Sequence, residues 1–123
     1  MIQGYVTEAL DPVIEIGLQR GEATESIPTI VDTGFSGHLC LSNQHEDKIE
    51  MVFHHVERYE LANGEVVVMD VFQGTIMFDE REQEVNLILT ASEDTLIGAA
   101  LLRDHLLTVN YPKRTVQVEQ ARP

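Results

Sequence analysis

The sequence of 123 residues has no tryptophan and a single cysteine, Cys40. One cysteine excludes a disulfide within the chain. Cys40 lies in the apolar run His38-Leu39-Cys40-Leu41, where we interpret it as a small buried hydrophobic side chain. A nucleophilic thiol is the less favoured alternative, because nothing in the local spacing supplies a base to activate it.

Positive charge is also scarce, since 8 lysines and arginines stand against 21 aspartates and glutamates, for a formal net charge of −13. This balance argues against nucleic acid and against an anionic membrane surface as partners, because phosphate binding depends on basic side chains. Solubility is the ordinary consequence of such a charge. A second possibility is that the acidic field attracts basic segments of a substrate.

Long hydrophobic runs are absent as well, and no run approaches the roughly 18 residues that a membrane-spanning helix requires. Residues 1–5 lack the basic segment and apolar core of a secretion signal. We therefore expect a cytoplasmic protein. The length fits a single domain over residues 1–123.

Short β-type runs separated by turn residues make up most of the chain, which predicts an all-β fold. We expect strands at 13–18, 26–31, 39–41, 56–61, 65–69, 71–78, 85–89, 107–111 and 115–118. The turn Ala62-Asn63-Gly64 predicts a hairpin, because Asn-Gly accepts the positive φ angles of tight turns. Short helices are expected within 44–50 and over 98–105.

One motif carries chemistry: the apolar residues Ile30-Val31 lead into Asp32-Thr33-Gly34. The Asp32 carboxylate can activate water, the Thr33 hydroxyl can tie the loop to neighbouring backbone, and Gly34 lets another backbone approach closely. The structural alternative is an aspartate that caps the turn before Gly34.

Peptide hydrolysis without a metal or a covalent intermediate needs one group that accepts a proton from water and another that donates one. Two carboxylates in contact meet this need, because like charges close together hold one proton between them. The chain contains Asp-Thr-Gly once, and the other Asp-Thr pair, Asp94-Thr95, continues to Leu96. A second carboxylate must therefore come from a second copy of the chain.

The sequence resembles the small retropepsin-like aspartic proteases, a family of retroviral type, and Phe35-Ser36-Gly37 is similar to its cellular, bacterial and archaeal branch. Three features follow the family's order over nearly the whole chain: the catalytic loop Asp32-Thr33-Gly34, the hairpin tip Ala62-Asn63-Gly64 at the position of the flap, and Leu96-Ile97-Gly98 before a short helix. The resemblance implies a closed β-barrel with one short C-terminal helix, which forms half of a two-fold symmetric protease.

By the same resemblance, we expect an aspartic endopeptidase that acts on a peptide or protein substrate as a homodimer and uses no cofactor or metal. Asp32, Thr33 and Gly34 would form the catalytic loop, and the tip Ala62-Asn63-Gly64 the substrate-binding flap. The N-terminal segment 2–6 and the strand 115–118 are the family's candidates for dimer contacts. Two alternatives stay open: an inactive binding or structural module with this fold, and a processing enzyme that acts only on itself or on one fixed partner.

The chain departs from the retroviral members at two positions. Those members carry an acidic residue four places after the catalytic aspartate and an arginine after the later glycine, where this chain has Ser36 and Ala99. Because both partners of the ion pair are absent, no buried charge is left unpaired, and the expected fold is unaffected. A retroviral style of dimer contact and substrate binding is put in doubt.

Three further features are weighed against simpler interpretations. Tyr59 is expected to pack on its strand, with a hydrogen bond toward the cleft as the alternative. His54 and His55 are not expected to chelate a metal, because neighbours on a strand point to opposite faces. The acidic segment 79–82 is interpreted as a solvated turn, since it offers too few alternating oxygen ligands for calcium.

Overall fold

The structure, a computed structural model, describes residues 1–121. It consists of ten strands and one 3₁₀ helix, which confirms the all-β class. The strands are β1 Ile2–Val6, β2 Pro12–Arg20, β3 Ala23–Val31, β4 Leu39–Ser42, β5 Met51–Glu60, β6 Val66–Phe78, β7 Arg81–Thr90, β8 Leu96–Ile97, β9 His105–Asn110 and β10 Thr115–Gln120. The 3₁₀ helix, Asn43–Lys48, follows β4 and overlaps the stretch 44–50 in which a short helix was expected, starting one residue before it.

All the strands join one sheet, in the order β5-β6-β7-β4-β8-β3-β2-β1-β10-β9. The pairs β3–β8 and β4–β7 are parallel, whereas the other neighbours are antiparallel. Strand β6 pairs in addition with β2, through Gly17↔Met77 and Leu18↔Ile76. The short strand β8 therefore lies between β3 and β4, where it connects the two halves of the sheet.

The burial of each strand follows its position in the sheet. Strand β2 pairs with β1, β3 and β6 and is buried along most of its length. Strand β10 alternates instead, with Val116 and Val118 buried between exposed Thr115 and Gln117, the pattern of a strand with one face toward the core. Apolar side chains from most strands meet in one hydrophobic core.

The expected hairpins are present. Strands β2 and β3 meet at Gly21, whose φ of +58° suits glycine. Strands β9 and β10 flank the turn at 111–114, and β5 and β6 flank the Asn-Gly turn. The runs 65–69 and 71–78, expected as two strands, form the single strand β6, because Asp70 keeps its register opposite Val56 with its side chain exposed.

The helix expected over 98–105 is not formed, and this prediction was wrong. The segment makes consecutive tight turns, with the Leu101 amide donating to the Gly98 carbonyl at 3.2 Å and the Leu102 amide to the Ala99 carbonyl at 3.1 Å. Strand β9 already begins at His105. So few residues cannot sustain an α-helix alone, and the turns let the neighbouring side chains of Leu101 and Leu102 both enter the core.

Within residues 1–121, none of the helical segments has the length and apolar character needed to cross a lipid bilayer.

Leu39 provides a test of the packing beside the candidate site. It is 0% exposed and pairs with Leu87 of β7 and Ile97 of β8. We predict that Leu39→Ala lowers the free energy of unfolding by about 2–5 kcal/mol, because the lost methyl groups leave a cavity. Urea unfolding at one fixed protein concentration measures the change.

Leu106→Ala is the matched control, since Leu106 is 55% exposed on β9. We expect this substitution to change stability by less than about 0.5 kcal/mol. Equal losses in the two variants would contradict the burial of Leu39.

Candidate active site

Asp32 follows directly after β3, at a point fixed by β8. The last residues of β3 pair in parallel with β8 through Ile30↔Leu96 and Val31↔Ile97. The Asp32 amide continues this pairing and donates to the Ile97 carbonyl at 2.9 Å. Because Val31 and Ile97 are buried, the backbone that carries the half-buried Asp32 is anchored on the core.

The Asp32 carboxylate closes the loop that follows it. Its Oδ1 accepts a hydrogen bond from the Gly34 amide at 3.0 Å, and its carbonyl accepts one from the Phe35 amide at 3.1 Å. Asp32 therefore caps the turn before Gly34, as the structural alternative predicted. This capping is compatible with a further role, since a carboxylate has more acceptor sites than this one bond uses.

Thr33 and Gly34 lie exposed at the turn, so that Asp32, Thr33 and Gly34 share one surface loop. The Thr33 hydroxyl takes no part in the hydrogen bonds that hold the loop, which come from the backbone and from Asp32. The expected hydrogen bond between the Thr33 hydroxyl and the backbone of the loop is therefore not formed among the described residues.

The rest of the loop rests on the segment that follows β8. Three backbone hydrogen bonds join them: Gly98 N to His38 O at 3.0 Å, Ala99 N to Phe35 O at 2.8 Å, and Ala100 N to Gly37 O at 3.2 Å. A Cβ atom at Gly98 would lie 2.3 Å from the Gly37 carbonyl oxygen and 2.5 Å from that of Phe35. Only glycine permits this approach, which explains the residue after Leu96-Ile97.

Thr95 is hydrogen-bonded to the two strands β3 and β4 that flank the candidate site, and this role was not predicted from the sequence. Its carbonyl accepts from the Ile30 amide at 2.8 Å, and its hydroxyl accepts from the Ser42 amide at 3.1 Å. Thr95 and Ser42 are both buried. A polar side chain in front of a short apolar strand is the only signal the sequence offered, and it does not reveal the partner.

The hairpin tip Ala62-Asn63-Gly64 lies at the exposed end of β5 and β6. The Asn63 side chain accepts from the Glu65 amide at 3.0 Å, and Gly64 has φ +87°. The hydrogen bonds of the tip join residues of the turn itself. The structure therefore forms the expected turn, but no hydrogen bond among the described residues joins its three residues to the Asp32 loop.

The strands of the same hairpin do meet the loop, a few residues before the tip, around a cavity of about 180 Å³. Its lining residues are Phe35, Ser36, Gly37, His38, Leu39, Glu57, Tyr59, Val71, Asn86, Leu87, Ile88 and Ala100. Tyr59, expected mainly to pack, lies on this cavity, and so does Glu57, which the sequence did not single out. Both come from β5, two residues apart and hence on one face.

Tyr59 and Glu57 influence each other's ionisation. Burial raises the pKa of Tyr59 to about 12, and hydrogen bonding to the Glu57 carboxylate adds to the effect. The same hydrogen bond is the main cause that lowers the pKa of Glu57. At neutral pH the pair therefore consists of a neutral phenol and an ionised carboxylate.

Cys40 and His38 are uncharged at neutral pH. Burial raises the pKa of the Cys40 thiol, and the nearby charge of Asp32 raises it further. Burial lowers the pKa of His38, and the charge of Arg103 lowers it further. Cys40 is half-buried rather than fully buried as expected, and a raised pKa disfavours the thiolate that a nucleophile requires.

A solved structure described as a retropepsin-like aspartic protease from Rickettsia conorii matches 94% of this chain and 86% of its own, with a TM-score of 0.63 and 16% sequence identity. The fold is retropepsin-like. No protein-family model matches the sequence, and no curated protein matches it either. The similarity to the Rickettsia conorii structure is therefore a similarity of fold and not of sequence.

The reasoning used for His54 and His55, that neighbours on a strand point to opposite faces, was wrong for this pair. The pairing of β5 with β6 shifts register between Phe53 and His55. This bulge places the two Nδ1 atoms 2.6 Å apart, with the rings edge to face. No group of three or more metal-ligating side chains that could hold an ion occurs within residues 1–121.

A larger open concavity of about 920 Å³ lies elsewhere, beside the 3₁₀ helix. Its lining includes Glu46, Asp47, Glu50 and Glu84 together with Arg20. It contains none of the predicted site residues, so size alone does not identify the candidate active site.

Gly98→Ala tests the contact between the loop and the segment after β8. We predict a loss of about 1–3 kcal/mol in unfolding free energy, because the added methyl group would press on two carbonyl oxygens. Urea unfolding measures the loss, and limited proteolysis within 32–38 detects a loosened loop. Ala99→Ser is the control, since Ala99 is exposed, and identical behaviour of the two variants would contradict the contact.

Tyr59 gives a prediction at alkaline pH. The folded protein keeps Tyr59 protonated up to a pKa of about 12, compared with the ordinary value of 10. Between these values the unfolded chain binds fewer protons, so the contribution of Tyr59 to stability falls as the pH rises. We predict that Tyr59→Phe removes this fall and the corresponding phenolate absorbance step.

Glu57→Gln should shift that absorbance step to lower pH without restoring the ordinary value, because burial is the larger cause. Ultraviolet titration of the folded protein measures both variants. A step unaffected by Tyr59→Phe would contradict the assignment.

Proposed function

We propose that the chain is an aspartic endopeptidase whose active form is a homodimer, with Asp32 of each copy supplying one carboxylate. The supporting observation is the Asp32 loop, a carboxylate held at the surface by backbone contacts to Ile97 and by the approach of Gly98. A retropepsin-like fold around this loop, over 94% of the chain, is the context in which such a loop would act as half of a catalytic pair.

In the proposed reaction, one ionised Asp32 takes a proton from a water molecule, whose oxygen attacks the carbon of the scissile amide. The protonated Asp32 of the other copy donates its proton to the carbonyl oxygen of the amide, which becomes tetrahedral. As the C–N bond breaks, the nitrogen takes the proton from the first Asp32, and a hydroxyl of the tetrahedral carbon returns its proton to the second, which restores the pair with one shared proton. One shared proton thus provides an acid and a base together.

Three features expected from the sequence belong to this proposal. The additional β2–β6 pairing would close the sheet into a barrel. Thr33 and Gly34 would line the catalytic loop, where the free hydroxyl of Thr33 is available to a second copy. The flap Ala62-Asn63-Gly64 would close over an extended peptide and exclude water from it.

The dimer contacts suggested by the resemblance meet a structural restriction. Strand β1, Ile2–Val6, has β2 on one edge and β10 on the other, while β10 lies between β1 and β9. Strand β10 therefore has both edges paired within one chain, whereas β1 pairs with β2 only at Tyr5 and Val6. Contacts between copies through β10 would use its side-chain faces or would require it to pair differently, and residues 2–4 of β1 keep one edge without a ladder partner among the described residues.

The same restriction favours the alternative of a binding module without activity. A chain whose C-terminal strand β10 is paired on both edges within the chain can stay monomeric, and a single Asp32 has no second carboxylate. The departures at Ser36 and Ala99 point in the same direction, since they remove an ion pair of the retroviral members. Oligomeric state therefore distinguishes the two functions.

Asp32→Asn is the direct test of the proposed chemistry. We predict that it lowers peptide cleavage by about 10²–10⁴-fold or more, because the amide cannot exchange the required proton. Cleavage of a peptide library, followed by mass spectrometry and repeated with a pepstatin-type inhibitor, measures the loss. Inspection of the chain itself for cuts in the same samples detects a self-processing enzyme.

Asp94→Asn is the matched control, because Asp94 is also followed by threonine but lies exposed away from the loop. It should leave cleavage and stability unchanged. Mass measurement in solution should detect a dimer in both variants. Undiminished cleavage by Asp32→Asn, or cleavage by a protein that is monomeric at every working concentration, would overturn the proposal.

A further inference from the structure

The cavity beside the Asp32 loop, here named the Glu57 cavity, combines an apolar wall with a polar end. The side chains of Phe35, Leu39, Val71, Leu87 and Ile88 form the apolar wall. Glu57 and Tyr59, near the end of β5 that leads into the hairpin turn, contribute the polar end. Leu39, Val71 and Leu87 are almost completely buried, so this wall is a fixed surface rather than a mobile one.

Glu57 is the one carboxylate among the described residues that line the cavity. It is ionised at neutral pH, as a glutamate of ordinary pKa would be, and hydrogen bonding to Tyr59 lowers its pKa further. The only lining imidazole, His38, is neutral there because its pKa is lowered by burial. Outside the lining, the His55 Nε2 lies 3.5 Å from Glu57 Oε1, which is too long for a strong ion pair.

The cavity adjoins the candidate catalytic carboxylate. Its lining residues Phe35 to Leu39 directly follow the Asp32 turn in the chain. The charge of Asp32 also raises the pKa of Cys40, which follows the lining residue Leu39 in the chain. A peptide bond placed at Asp32 would therefore carry a neighbouring side chain toward this cavity.

We propose that the Glu57 cavity receives a lysine or arginine side chain of the peptide substrate, which makes Glu57 a specificity-determining residue. The inference rests on the proposed peptidase function. The aliphatic stem of a basic side chain packs on the apolar wall while its charged end reaches the Glu57 carboxylate. A neutral aliphatic side chain satisfies only the wall, and an acidic one is repelled by Glu57.

The net charge of the whole chain acts in the same direction at longer range. A formal charge of −13 attracts basic peptides in general and accelerates their encounter with the protein. This attraction does not depend on one residue, so a test must separate the cavity from the overall field. Removing single carboxylates at two positions of the same strand provides that separation.

The test measures binding to the Asp32→Asn protein, so that it does not depend on turnover. Fluorescent peptides of one length carry lysine, arginine, norleucine or glutamate at each position in turn, and anisotropy gives their dissociation constants. At one position we expect lysine and arginine to bind roughly threefold to tenfold more tightly than norleucine, the range of a partly exposed charged pair. Glutamate should bind most weakly there.

Glu57→Gln should reduce this preference to about that of the remaining positions, and Glu57→Lys should favour glutamate instead. Glu60→Gln is the matched control, because Glu60 is an exposed carboxylate three residues along β5 and removes the same charge from the overall field. It should keep the preference. A preference for norleucine, or a lysine preference that survives Glu57→Gln, overturns the inference.

Cleavage by the unmodified protein separates this inference from the proposed function. Cleavage with no dependence on a basic residue overturns the role of the Glu57 cavity and leaves the endopeptidase proposal standing. A basic preference in binding that Glu57→Gln abolishes, together with no cleavage at any concentration, supports the cavity's selectivity and overturns the endopeptidase proposal.

Discussion

The backbone contact between the loop after β3 and the segment after β8 is the constraint on which the candidate site depends. Three amides after Ile97 donate to three carbonyls after Asp32, and the contact is possible only because residue 98 has no side chain. These bonds satisfy polar groups that would otherwise be buried without partners. They also hold the Asp32 carboxylate at the surface, although the residues beneath it are apolar.

This constraint connects the two features of the sequence that were most informative. Asp32-Thr33-Gly34 and Leu96-Ile97-Gly98 are more than sixty residues apart in the sequence, yet β3 and β8 pair directly beside them. Each tripeptide alone could belong to an ordinary turn. Their contact explains why glycine is needed at 98, whereas a Cβ atom at Gly34 would meet only the Asp32 Oδ1 atom, at 3.3 Å.

The strands and turns could be predicted because their signals are local. The Asn-Gly turn, the Gly21 turn and the alternation of β10 each depend on neighbouring residues alone. The helix over 98–105 was a wrong prediction because good helix formers there serve a tertiary purpose: their amides bind the Asp32 loop and their leucines enter the core. The bulge at His54 likewise comes from the pairing of β5 with β6, which neighbouring residues do not encode.

Glu57 was not predicted as a site residue for the same reason: its role depends on tertiary contacts and not on its sequence neighbours. On its strand it is one of several exposed charged residues, and only the fold places it beside Phe35 and Leu39.

The hairpin of β5 and β6 presents two different faces. One face meets the core through Val71 and lines the Glu57 cavity through Glu57 and Tyr59. The opposite face carries Val66 and Val68, which are 50% and 65% exposed. Exposed apolar side chains of this kind gain their contacts when another surface covers them. Tyr59 pairs with Val67, one residue pair before the end of the ladder. In the proposed enzyme, closure of the tip on a peptide would therefore move the polar end of the Glu57 cavity as well, so that substrate selection and closure depend on the same part of the hairpin.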